Sequence, residues 1–187
     1  QTNLKQNAAA LVAVIAAVGA AAASCVKDVM EYADSLQTLS EQTGVSVETL
    51  QAWDYASELI DTDFNTMTNA FKKLESSMAS SPEVFKELGV EVTNSSGHMR
   101  DAEAVYMDTI DALGRIRNAT EQDQMAMKIF GKSATELTGM INAGSQGLKA
   151  YGDEAKELGV ILSANEVAAA AQASDAWVRL TNVLDAA

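Results

Sequence analysis

Apolar positions in the first forty residues recur at alternating steps of four and three, which is the spacing of a heptad helix. Inside the Ala-rich part of this segment the match carries little information, because almost every position is apolar. From Lys27 onward it is informative, because polar residues fill most of the intervening positions. The pattern predicts one helix over residues 3–40, about 55 Å long. The larger residues of this predicted self-association seam are Leu4, Leu11, Ile15, Val18, Val29, Tyr32, Leu36 and Leu39.

The N-terminal apolar run also permits a membrane-spanning interpretation. Residues 8–26 carry no charge and lie between Lys5 and Lys27, and a run of this length can cross a bilayer. Alanine favours insertion only weakly, and the small seam residues equally suit close helix packing, within one chain or between copies. Both hypotheses follow from the residues, and we favour packing.

The rest of the chain is a series of short amphipathic helices with recognisable start and stop residues. Ser46 precedes a helix predicted over residues 47–60, and a cap at 61–63 precedes an apolar stripe at helical spacing. Each later helix has its own predicted N-terminal cap. These are Ser81 before Pro82, Asp101, Thr120 with Asp123, Ser133 with Glu136, and Ser163 with Glu166.

One short stretch departs from the helical pattern. Val90 and Val92 alternate with polar residues, and residues 94–97 form a turn signal. We therefore predict an all-α fold with a small hairpin or loop near 90–100. The predicted division is a long helix over 1–42 and a multi-helix region over 43–187. The chain begins with Gln1 and stops inside a predicted helix, so we expect it to be a piece of a longer protein.

Charge and composition narrow the function classes. Acidic residues outnumber basic ones 26 to 13, giving a net charge of −13, which disfavours binding to nucleic-acid phosphates. Nine carboxylates and no Lys or Arg occur between Asp28 and Phe71. We interpret this stretch as a solvated face, with a cation or a basic partner as the alternative.

The stretch AMKIFGKS, residues 126–133, resembles a phosphate-binding loop. Its first position is Ala126 instead of Gly, and a helix start rather than a strand precedes it. We predict that Gly131 ends one helix, that Ser133 begins the next, and that no nucleotide binds.

Other candidate chemistry is sparse. Cys25 is the only cysteine and His98 the only histidine of the sequence, which excludes an internal disulfide and a Cys/His zinc site. We find no paired carboxylates at a catalytic spacing and no activated Ser or Cys. We therefore predict that the chain is not an enzyme and has no cofactor and no catalytic, cofactor-binding or metal residues.

The order of segments resembles the helical region of tail tape measure proteins of long-tailed bacteriophages and prophages. Four stretches carry the resemblance, which covers nearly the whole chain. They are TGVSVETLQAW, FKELGV, RDAEAVYMDTIDAL after the turn, and FGKSATEL.

The resemblance implies a structural protein: a long helical rod that sets tail length while tail tube subunits polymerise around it. It implies tail assembly chaperones and the tube protein as partners, and a homo-oligomer, with three copies as one arrangement. The implied locations are the host cytoplasm during assembly and the tube lumen of the virion afterwards. The rod leaves ahead of the DNA during ejection, and its apolar parts can then enter the host membrane. A membrane-inserting pore or ejection-channel segment is the alternative function.

Overall fold

Helices form most of the part of the chain that the structure describes. The structure is a computed structural model that describes residues 20–185, and side chains over residues 27–178. Within this range it has eight α-helices, a 3₁₀ segment and no strand, so the all-α prediction is confirmed. The helices are α1 Ala20–Thr43, α2 Val47–Leu59, α3 Phe64–Ser80, α4 Pro82–Glu87, α5 Ala102–Gly114, α6 Ala119–Phe130, α7 Thr138–Glu157 and α8 Ala164–Asp185, and the 3₁₀ segment is Gly131–Glu136.

The chain divides into two units, of which the first comprises residues 1–48 and 162–187. In it α1 packs against α8. The buried apolar side chains of α1 are Met30, Ala33 and Leu36, and α8 buries Val167 and Ala171. The predicted division into 1–42 and 43–187 stays a prediction.

The second unit, residues 49–161, is built around four aromatic side chains from four helices. The ring of Tyr106 on α5 lies 5.4 Å from the rings of Trp53 and Phe71, and 5.9 Å from that of Phe130. The Tyr106 hydroxyl donates to the Met67 carbonyl oxygen at 2.9 Å. Tilted and edge-on rings at such distances attract one another beyond the effect of burial alone, so this cluster joins α2, α3, α5 and α6.

Most predicted helix starts are confirmed. Asp63 accepts from the Thr66 amide and Asp101 from the Ala104 amide. Pro82 begins α4, although Ser81 makes no side-chain capping bond there. Ser163 and Glu166 form the reciprocal bonds of a capping box at α8.

Two predicted starts are wrong. Asn118 caps α6, since its side chain accepts from the amides of Thr120 and Glu121, so the predicted pair Thr120 and Asp123 does not begin the helix. Ser133 and Glu136 do not begin one either. They lie in the 3₁₀ segment, where the Glu136 carboxylate instead accepts from the Thr66 hydroxyl at 3.0 Å.

The predicted hairpin near 90–100 is one isolated bridge between Thr93 and Met99. The Asn94 side chain closes the turn by accepting from the amides of Ser96 and His98. Val90 and Val92 are buried, so the loop is held by its first residues and its tip is exposed.

The start of α7 lies unusually close to the turn after α2. A Cβ atom added at Gly139 would stand 1.8 Å from the Ile60 carbonyl oxygen. No side chain fits in that space, so the close approach of the two backbones requires glycine at this position.

Candidate functional site

The predicted self-association seam is divided by the fold. Leu36 is fully buried and Leu39 half-buried, whereas Val29 is 50 % exposed and Tyr32 36 % exposed. The earlier seam residues Leu4, Leu11, Ile15 and Val18 lie outside the described residues. The face of α1 that is buried, with Met30, Ala33 and Leu36, is therefore rotated from the seam that the heptad spacing indicates.

The acidic stretch 28–71 serves several local purposes. Glu31 pairs with Lys27 on exposed α1, and the Glu48 carboxylate accepts from the Ala164 amide at 2.7 Å, at the start of α8. Asp63 caps α3. These three carboxylates do not converge on one point, which agrees with the interpretation of the stretch as a solvated face.

Four carboxylates of the same stretch line an open groove between the end of α2 and the start of α3. The groove has a volume of about 480 Å³ and is lined by Asp54, Ser57, Glu58, Asp61, Thr62, Asp63, Phe64 and Asn65. The buried Ser57 and Thr62 hydroxyls donate to the carbonyls of Asp54 and Ile60. Among the described residues no group of three or more His, Cys, Asp or Glu side chains is arranged to hold a metal ion.

The Gly-Lys-Ser stretch has the geometry of a helix stop. α6 ends at Phe130, and Gly131 follows with φ 64° and ψ −139°. Ile129 and Phe130 are buried in the core, as the helical apolar pattern predicts. A phosphate-binding loop needs a strand before its turn, and here α6 precedes it.

The remaining candidate residues are not brought together. His98 is exposed at the tip of the 93–99 turn, and the side chain of Cys25 lies outside the described residues. The pentapeptide KELGV occurs twice, at 86–90 and 156–160, and ends a helix both times, with positive φ at Gly89 and Gly159.

One side-chain contact between helices could not be found from the sequence. The carboxylate of Asp111 on α5 accepts hydrogen bonds from the amide and the hydroxyl of Ser145 on α7. The two residues are distant in the chain, and no local pattern links them.

The shifted pKa values of four side chains are caused by burial or by hydrogen bonds that hold the fold. Burial raises the pKa of the Glu75 and Glu103 carboxyls, and it raises the pKa of the Tyr106 hydroxyl strongly. Hydrogen bonds from Ser163 lower the pKa of Glu166 at the start of α8. These groups lie in the core, on helix surfaces or at a helix cap, so they do not form an acid–base pair.

Over the described residues no helix combines the length and apolarity needed to cross a membrane. Residues 8–19 of the apolar run 8–26 lie outside that part of the chain, as do the side chains of residues 20–26.

The described part of the chain is thus a set of helices joined by packing and caps. A family model of phage-related minor tail proteins matches residues 1–131. The chain belongs to this family, which gives it a structural role in the tail of the virion. No curated protein and no solved structure matches the chain.

Proposed function

We propose that the chain is a segment of a tail tape measure protein, the ruler on which the tail tube is assembled. Membership of the minor tail family, over residues 1–131, gives the class of protein. The observation that carries the finer assignment is the predominance of helices between Ala20 and Asp185. A chain of this kind becomes a rod when its helices are drawn into line, and each helical residue then adds about 1.5 Å of length.

The short connections between helices support this proposal. Only three residues separate α1 from α2, one separates α3 from α4, and α6 runs directly into the 3₁₀ segment. The longer connection over residues 88–101 would have to open for the segment to extend. The tube protein and the assembly chaperones are the partners that this function requires.

The seam on α1 is proposed as the contact between copies of the ruler. Val29 and Tyr32 are exposed beside the buried face of α1, whereas Leu36 is covered within the fold. The contact between copies would therefore use Val29, Tyr32 and the seam residues that precede them in the sequence. In the sequence the heptad spacing continues from Val29 back through Val18 as far as Leu4, which would give the contact its length.

The tail length of a phage that lacks this segment tests the function. A fully extended helical segment of 187 residues accounts for about 280 Å. Deleting it in frame should shorten the tails seen by electron microscopy by about that amount. Tails of normal length with poor infection would refute the ruler function and favour a role during ejection.

A membrane-inserting segment is the second candidate, favoured by the uncharged run 8–26. Partition of a peptide of residues 1–45 into liposomes separates the two. A peptide that stays in the aqueous phase as a helical oligomer supports the ruler, and strong insertion supports the membrane function.

The acidic surface suits a lumen through which DNA passes. With a net charge of −13, the ruler would repel DNA phosphates instead of holding them. Replacing several carboxylates of the stretch 28–71 by Lys should slow DNA release, and unchanged ejection kinetics would contradict this part of the proposal.

A further inference from the structure

Helix α7 is interrupted at a residue where its sequence pattern continues. Gly144 has φ 66° and ψ 177°, far from helical values, and divides Thr138–Glu157 into two halves. The buried positions nevertheless keep helical spacing across the break. They are Leu137, Met140, Ile141, Leu148, Gly152 and Ala155, and the step of seven from Ile141 to Leu148 corresponds to about two helical turns. In an uninterrupted helix these positions would share one face.

The break is held by a carboxylate from another helix. Asp111 on α5 accepts from the Ser145 amide at 2.7 Å and from the Ser145 hydroxyl at 2.6 Å. It thereby caps the second half of α7, whose first amides would otherwise lack acceptors. A Cβ atom at position 144 would stand 3.2 Å from the Asp111 Oδ1 atom, so glycine provides both the backbone conformation and the room for the carboxylate.

The two halves of α7 also contact two points of the α2 region. Gly139 lies against the Ile60 carbonyl, and a Cβ atom at Gly152 would stand 3.1 Å from the Ala52 Cβ atom. Along α2 and its continuation, Ala52 and Ile60 are about 12 Å apart, whereas Gly139 and Gly152 would be about 20 Å apart in a straight helix. A straight α7 lying along α2 therefore moves at least one of the glycines out of contact.

The second half is the one that would be released. The contact at Gly139 is backbone against backbone, with no room for a side chain. The second half is held at Gly152, by the exposed bond from the Tyr55 hydroxyl to Glu154 at 3.1 Å, and by Asp111. Its release would uncover Leu148 and Ala155, which are now buried.

We propose that Gly144 and Asp111 form a conformational latch. Closed, it keeps α7 broken and folded against α2 and α5; opened, it lets Thr138–Glu157 become one continuous helix whose second half leaves α2. This inference concerns the chain by itself and does not depend on the ruler function.

Distances between two spin labels across the break test the latch. The labels are attached to cysteines at two exposed positions, Thr138→Cys and Lys156→Cys, in the full chain with Cys25→Ser. In a straight helix these positions are about 27 Å apart along the axis, which we call the straight-helix distance. With Asp111 and Gly144 unchanged, double electron–electron resonance should give one distance, shorter than the straight-helix distance.

Opening the latch should lengthen that distance. We expect Asp111→Ala with Gly144→Ala to raise the population at the straight-helix distance, relative to the shorter one, by about tenfold or more. The reason is that the cap is lost and that alanine disfavours positive φ. The control pair is Asp123→Ala with Gly89→Ala. It makes the same chemical changes on α6 and at another glycine with positive φ, where an added Cβ atom meets no atom within 4 Å, and it should leave the distance unchanged.

Each outcome decides for or against the latch. An unchanged distance in the folded double variant, or a broad distribution without a component at the straight-helix distance, overturns the proposal. If the double variant does not fold, by circular dichroism, Asp111→Ala decides alone, because it keeps Gly144 and removes the carboxylate that accepts from the Ser145 amide and hydroxyl. A component at the straight-helix distance in that variant supports the latch, and its absence refutes it.

Discussion

Single side chains show how the second unit holds its four-helix core. Tyr106 is the fullest example, because it is completely buried, contacts three other aromatic rings and donates to the Met67 carbonyl. Its burial was foreseeable from the helical spacing of apolar residues along α5. Its hydrogen bond was not, since the acceptor is the backbone of another helix, 39 residues away.

Removing the Tyr106 hydroxyl should destabilise the fold modestly at neutral pH. We expect Tyr106→Phe to lower the free energy of unfolding by about 1 kcal/mol, the usual net value of such a bond. Guanidinium unfolding measures it. Tyr151→Phe, at a half-buried position on α7, is the control, and an equal effect of both changes would contradict the account.

The same residue should make stability depend on pH in alkali. Burial raises the pKa of Tyr106 above its ordinary value of 10.0, so the unfolded chain loses this proton first. The contribution of this tyrosine is fully present below pH 10 and falls by up to about 1.4 kcal/mol per pH unit above it. Unfolding at several alkaline pH values should show a shallower decline for Tyr106→Phe than for Tyr151→Phe, and parallel declines would refute the assignment.

At the scale of a helix, the start could be predicted where the capping residue lies next to it in the sequence. Asp63 and Asp101 cap helices that begin directly after them, and Ser163 with Glu166 does the same for α8. Predicted helix starts were wrong where a better capping residue lay nearby in the sequence, or where the hydrogen-bond partner lay far away in the chain. Asn118 outcompetes Thr120, Glu136 is engaged by Thr66, and the cap of the second half of α7 comes from Asp111, 34 residues away.

The start of α6 can be tested directly. Asn118→Ala should cost about 1 kcal/mol of unfolding free energy, because two amides lose their acceptor. Thr120→Ala should cost clearly less, since the Thr120 side chain is not the cap. Both positions are exposed, so thermal unfolding compares the caps without a packing effect. A larger loss for Thr120→Ala would favour Thr120 as the cap.

The proposed contact between copies along α1 can be tested with a charge at one seam position. Val29→Glu introduces a charge at an exposed seam position and should lower the mass of the particle seen in sedimentation, because the contact between copies would have to bury that charge. Thr38→Glu adds the same charge at an exposed position of α1 outside the seam and should leave the mass unchanged. Equal masses for the unaltered chain and Val29→Glu would refute the seam.

At the scale of the whole molecule, composition and helical pattern were sufficient to predict the fold class. The order of segments was sufficient to predict a phage tail protein, which the family match supports over residues 1–131. The packing of α8 against α1 was not foreseen, because it joins two helices that are far apart in the chain. Such long-range pairing is set by tertiary contacts that no local pattern contains.

The central claim is that the segment contributes length to a ruler, and a tandem in-frame duplication tests it most directly. Duplication keeps one complete copy of every contact, whereas a deletion can also remove a function needed for assembly. We expect tails longer by about 280 Å in electron micrographs, which is the length of 187 helical residues. Tails of unchanged length, with the duplicated chain present in the purified virions, would contradict the account.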